Sequence, residues 1–242
     1  MCEGKHAGYS DELWRFSTLT RKWTLEGTTG LESPSARSDH TMEAVGTDIY
    51  LFGGGDSEMS SLNPGIDESR SWSDELWMYS TVTLEWALFA KNAGASPSAR
   101  GFHSMTVVNT DLYLYGGEGG FSDWLWIYST VSCNWTLSAV GGSLGALTWH
   151  VATAVGTRVY LFGGGLREEL LAGILGSGHL WAIETTSVSL EWTVLDNQAD
   201  YEARPGARNG HAIAAVGPTL YVYGGATTSF MYSGKACQTH NG

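Results

Sequence analysis

The chain of 242 residues is short of cysteine and of positive charge, and each shortage removes a class of protein. Its cysteines, Cys2, Cys133 and Cys237, are few, odd in number and unrelated by motif. That rules out a disulfide framework and leaves no CxxC pair for zinc. Cys133 stands two residues before Trp135, where a buried structural thiol on a strand is expected. Lys and Arg number 13 against 25 Asp and Glu, a formal net charge of −12. Such a balance argues against nucleic acid and against anionic membrane as partners, because both require a basic face. No apolar run approaches the ~20 residues of a membrane span. The opening "MCEGKHAG" has no apolar region of a secretion signal, so the reducing cytosol is the expected compartment, with the nucleus as the alternative. Catalytic punctuation is missing too: there is no GxSxG elbow, no HExxH and no P-loop.

What the chain does have is repetition, which decides architecture before any single residue can be read. "SARSDHTMEAVGTDIYLFGGG" from Ser35 is matched by "SARGFHSMTVVNTDLYLYGGEGG" from Ser98, "ALTWHVATAVGTRVYLFGGG" from Ala146 and "GARNGHAIAAVGPTLYVYGGA" from Gly206. His40, His103, His150 and His211 each precede the first glycine of a pair, Gly53-Gly54, Gly116-Gly117, Gly163-Gly164 and Gly224-Gly225, by 13 residues. Two β-branched and aromatic runs in each unit flank Gly46, Asn109, Gly156 or Gly217, residue types that accept positive φ cheaply. Each unit therefore reads as a β-hairpin.

A second unit alternates with the first. Trp14 and Trp23, Trp77 and Trp86, and Trp126 and Trp135 are nine residues apart, and Trp181 and Trp192 are eleven apart, which lengthens the last turn. Aromatic arms around a Ser/Thr-rich middle make this a second hairpin. Expected hairpins span about residues 9–26, 37–54, 74–89, 100–117, 123–138, 147–164, 179–195 and 206–225, with an irregular tail at 226–242. Two successive hairpins form a four-stranded antiparallel sheet, and a sheet apolar on both faces must stack on neighbours. Radial stacking gives a β-propeller, with glycine pairs at points of close backbone approach and tryptophans filling the wedge between sheets.

The Gly-Gly pair after an apolar strand, the downstream aromatic and Trp ("GG … LWMYS … W") and the "SAR..H" before the strand resemble Kelch repeats. Leu147 departs from the pattern, standing where the other copies have Arg37, Arg100 and Arg208, and the tail after Gly225 contains no tryptophan hairpin. The expected fold is all-β: one Kelch-type propeller domain of four-stranded blades, three complete, with a half-blade at each end. Pairing the half-blades closes a four-bladed ring; an open arc is the alternative, since the resemblance implies five to seven blades and so a piece of a larger propeller.

Identical residues at equivalent places serve the blade, and this is the reading for the four histidines; an axial metal site is the weaker alternative. The resemblance implies that arginines at the entry of the first strand, Arg37, Arg100 and Arg208, grip acidic peptides at the mouth of the channel. Bracing loops through carbonyls or acidic neighbours is the competing role. If Arg37 and His40 lie on one continuous strand, three positions apart, they point to opposite faces. The residues between Arg and His vary most: Ser38-Asp39, Gly101-Phe102, Thr148-Trp149 and Asn209-Gly210. Variation inside a strict module marks a surface free to specialise, so Ser38, Asp39, Phe102, Trp149 and Asn209 join the arginines as candidate binding residues. Long connections at 55–73, 165–179 and 195–207 fall on the same pole, and within the second "REELLAGIL" is compatible with a short helical turn. The expected function is a non-catalytic interaction module for a peptide or protein segment, with no catalytic residue, metal or cofactor. The alternative is an enzyme, because the resemblance extends to propeller-based oxidases and sugar-modifying enzymes.

Overall fold

The computed structural model describes residues 9–27, 32–55, 72–89, 95–119, 123–140, 144–166, 177–195 and 204–227. "REELLAGIL", most of the three long connections and the tail beyond residue 227 lie outside them. The described residues are strands and turns, with no helix.

The glycine hairpins are β3 (Ser38–Val45) with β4 (Asp48–Gly55), β7 (Ser104–Val108) with β8 (Asp111–Tyr115), β11 (Leu147–Val155) with β12 (Arg158–Leu166), and β15 (Asn209–Val216) with β16 (Thr219–Ala226). Each turns at the residue that tolerates positive φ: Gly46 (63°), Asn109 (58°), Gly156 (61°) and Gly217 (56°). A two-residue turn centred there makes the 13-residue spacing a register, placing His40 opposite Gly53, His150 opposite Gly163 and His211 opposite Gly224.

The tryptophan hairpins are β1 (Leu13–Ser17) with β2 (Lys22–Glu26), β5 (Leu76–Ser80) with β6 (Glu85–Phe89), β9 (Leu125–Ser129) with β10 (Asn134–Ser138), and β13 (Leu180–Glu184) with β14 (Thr193–Val194). The first three close through turns that end on a left-handed residue, Arg21, Leu84 or Cys133. Cys133 is thus an exposed turn residue, not the buried strand thiol its distance from Trp135 suggested. The four-residue turn places it one position before β10 begins at Asn134. The two extra residues of the last copy lie between Glu184 and Thr193, where they lengthen the turn.

Hairpins join in pairs. Three four-stranded antiparallel sheets run β3-β4-β5-β6, β7-β8-β9-β10 and β11-β12-β13-β14. Their innermost strands pack in sequence, β3 on β7, β7 on β11 and β11 on β15. Apolar cores lie between sheets: Tyr50, Phe52 and Leu76 meet Met105, Leu112 and Trp126, while Tyr115 and Leu125 meet Leu161, Ile183 and Trp192. This is the radial stacking of propeller blades. Among the described residues the terminal hairpins β1-β2 and β15-β16 are separate two-stranded sheets, and the three four-stranded blades lie between them in the chain. Trp14 and Trp23 are accordingly exposed, whereas Trp77, Trp126 and Trp192 are buried by neighbours.

Candidate functional site

Where the first strand of each blade begins, three kinds of side chain converge. The arginines come first. Arg37 donates from Nε to the Ser35 carbonyl at 3.0 Å, from Nη1 to the Gly53 carbonyl at 3.0 Å, and from Nη2 to Ser35 Oγ at 3.1 Å and Glu75 Oε2 at 2.8 Å. Arg100 repeats the pattern with Ser98 and the Gly116 carbonyl, and is only 1% exposed. Arg208 reaches the Gly206 and Gly224 carbonyls. These guanidiniums face into the blade, tying the chain before the first strand to the glycine pair at the end of the second. The backbone of the arginine position works as well: the carbonyls of Arg100, Leu147 and Arg208 accept from Gly54, Gly117 and Gly164 of the preceding blade, and that contact does not depend on the side chain.

Glu75 completes the first blade's network. Desolvation pushes its pKa up, but hydrogen bonds from Arg37, Trp77 Nε1 and Ser73 Oγ outweigh this and hold the carboxyl below its usual range. In the second blade Trp124 occupies that place. Arg100, with no described carboxylate beside it, has its pKa lowered by burial to about 10, and Trp126 Nε1 has no partner among the described residues. Trp124→Glu should therefore supply both with an acceptor, raising stability by roughly 1 kcal/mol; a lowered urea midpoint would contradict this.

The histidines link blades. His103 Nε2 lies 2.8 Å from Thr41 Oγ1 of the preceding blade, and His150 Nε2 lies 2.8 Å from Ser104 Oγ. In the fourth copy the equivalent partner is Val151, and His211 Nε2 is buried without a hydroxyl. Val151→Thr restores one at nearly constant volume. A gain of about 1 kcal/mol should follow, or a melting temperature higher by about 2–4 °C, with His211→Gln abolishing it.

Between arginine and histidine lies the third group. Asp39, Phe102, Trp149 and Gly210 all have positive φ, between 55° and 62°. A left-handed residue between Arg37 and His40, left out of the pairing that holds Ser38 and His40 on either side of it, breaks the two-residue alternation, so their spacing does not put the two side chains on opposite faces. The backbone of these residues forms a chain across blades, Phe102 N donating to the Asp39 carbonyl and Trp149 N to the Phe102 carbonyl, each at 3.2 Å. Their side chains form a platform. Phe102 and Trp149 stack at 3.8 Å with planes 17° apart, Trp72 meets Phe102 edge-on at 5.5 Å, and Trp149 is 40% exposed. Beside Trp72 is a cavity of about 270 Å³ lined by Ser35, Arg37, Asp74 and Glu75, so the starts of β3 and β5 share one pole. Ser38 Oγ donates to Asp39 Oδ2 at 2.9 Å, and half-buried Asn209 is the matching residue beside Gly210. Trp72 and Glu75 are the members that repeat spacing alone did not single out. Their signal was an aromatic before Ser-Asp, Tyr9, Trp72 and Phe121, in three copies.

A family model described as the KLHDC2/KLHL20/DRC7 Kelch-repeats domain matches residues 3–164. Kelch domain-containing protein 3 of Bos taurus is 27% identical over 86% of this chain and 52% of its own length. The Rab9 effector protein with kelch motifs of Bos taurus is 34% identical over 42% of this chain and 24% of its own. An N-(sulfonatooxy)prop-2-enimidothioate sulfolyase of Thlaspi arvense is 31% identical over 44% of this chain and 28% of its own. The chain thus spans about half, or less, of the length of these relatives. With blades, glycine pairs and inter-blade histidines in place and the family model matching most of the chain, the protein belongs to the Kelch-repeat family.

Proposed function

We propose that the protein is a non-catalytic interaction module that holds a peptide or protein segment against the Phe102–Trp149 platform. The observation carrying this reading is that two bulky aromatic residues occupy the left-handed region, a conformation costing about 1–2 kcal/mol per residue. They do so at the position that varies most between copies, with one ring exposed to solvent. Strain kept at a variable, exposed position fits a site held ready for a partner. An effector among the relatives, the Rab9 effector protein with kelch motifs, supports a protein partner. The candidate arginines then serve indirectly, by fixing the loops that present the platform.

The test is Trp149→Gly. Glycine accepts the left-handed backbone, as Gly210 does, so the melting temperature should stay within about 2–4 °C of wild type while partner recovery by an aromatic crosslinker placed at neighbouring position 39 falls at least tenfold. Unchanged recovery sinks the proposal. The enzyme reading rests on the sulfolyase relative. Stoichiometric metal in the purified protein together with turnover of a small molecule would favour it.

A further inference from the structure

In the cavity beside Trp72 the donors are used and an acceptor is open. Arg37, which the resemblance would offer to an acidic peptide, lines it with a side chain only 4% exposed, and its Nε, Nη1 and Nη2 already donate to Ser35, Gly53 and Glu75. Glu75 is the reverse. Its side chain is 39% exposed, and the bonds from Arg37 Nη2, Ser73 Oγ and Trp77 Nε1 all end on Oε2. Among the described residues nothing donates to Oε1, so a carboxylate that those bonds keep charged has one oxygen unused. Arg37 and Glu75 cancel, and Asp74 in the same lining leaves the cavity formally negative.

Trp72 supplies the apolar wall. A Cβ on Gly101 or Gly119 would run into its ring, so the two glycines seat the indole and fix where it stands. The same indole meets Phe102 edge-on at 5.5 Å, and Phe102 stacks on Trp149, so one run of rings joins the cavity to the platform. A volume of about 270 Å³ falls below the ~300–1,000 Å³ of sites for whole small molecules and suits a single long side chain. An indole beside a carboxylate with an unused oxygen matches a guanidinium, which stacks on a ring while its N–H groups donate in its own plane. The equivalents of Glu75 in the other two complete blades are Trp124 and His179, so among those blades only the first carries this combination.

We propose that the cavity is the subsite for an arginine side chain of the segment held on the platform, its guanidinium lying against Trp72 and donating to Glu75 Oε1, with Asp74 adding charge attraction. That the arginine belongs to a bound segment rests on the platform reading; the affinity of the cavity for a guanidinium does not, and one amino acid measures it. The partner is then basic at the point where the resemblance implied an acidic one.

The experiment titrates the full chain, labelled with fluorotryptophan, with N-acetyl-arginine methylamide and follows fluorine NMR, the Trp72 and Trp149 signals being assigned through Trp72→Phe and Trp149→Gly. The Trp72 signal should move saturably. The citrulline amide has nearly the same shape and no charge, so its affinity should be lower by about tenfold or more, the loss expected for one hydrogen bond to a charged group. Glu75→Gln should weaken arginine binding by a similar factor while the Trp149 signal stays at its wild-type position; should that variant fail to fold without its ion pair, the two amides on wild type decide. A Trp72 signal that the arginine amide does not move, or that citrulline moves equally, overturns the proposal, as does a folded Glu75→Gln that binds arginine as wild type does. Failure of the platform is read separately: full crosslinked recovery in Trp149→Gly, with arginine still preferred over citrulline, keeps the arginine cavity and removes the platform.

Discussion

Gly163→Ala should destabilise the protein by about 3–5 kcal/mol, while Gly224→Ala should cost only about 1–2 kcal/mol. The two glycines occupy the same repeat position with nearly the same φ, 71° and 75°, so the backbone penalty for a side chain in the left-handed region is common to both. They differ in what lies above. A Cβ on Gly163 would sit 2.3 Å from His211 Cε1 and 2.6 Å from the Arg208 carbonyl oxygen, and rotating the imidazole cannot relieve the second clash because it is with backbone. The same carbonyl accepts from Gly164 N at 2.9 Å, so moving it away breaks the hydrogen bond that joins the blades. The difference between the two substitutions, read from urea midpoints, isolates the inter-blade socket from glycine's conformational freedom. Equal losses would mean that the glycine pair is kept for its φ alone.

This contrast shows why the blades were readable from the sequence and the site was not. The spacing of 13 residues between histidine and glycine is a register forced by a two-residue turn, and the nine residues between tryptophans are another, so periodicity alone specifies hairpins. Ring closure is different: pairing the first hairpin with the last is non-local, and the residues read the same in an arc as in a ring. The left-handed residues were hidden for another reason. Asp, Phe, Trp and Gly share no composition, and Phe or Trp at positive φ is imposed by neighbouring blades through the hydrogen bonds linking Asp39, Phe102 and Trp149. With that interruption unseen, Arg37 and His40 looked like opposite faces of one strand, and the arginines could not be assigned between channel and loop. Their bonds to the Gly53, Gly116 and Gly224 carbonyls involve backbone acceptors, which leave no trace in residue type.

The inter-blade histidines make stability depend on pH in a direction that the acidic composition would not suggest. Burial is the main cause that lowers the pKa of all four; it takes His150 to about 3 and His103 well below its usual range, with the Arg100, His150 and His40 charges adding to the latter. In the folded protein these imidazoles are neutral, whereas the unfolded chain takes up their protons near pH 6.5. Their stabilisation is therefore fully present above pH 6.5 and is lost progressively as the pH falls towards the folded values. For His150 the loss between pH 7 and 5 is about 2 kcal/mol, and His103 contributes with the same sign. Relief of repulsion among the 25 acidic residues acts the other way over the same interval, so the wild-type slope alone cannot isolate the histidines. His150→Gln can. It removes one titrating group while keeping a side chain able to hydrogen-bond Ser104 Oγ, so the variant should be less stable than wild type at pH 7 and nearly level with it at pH 5. Denaturant midpoints at the two pH values give the answer. If the stability gap between wild type and variant does not narrow on acidification, His150 is charged in the folded state.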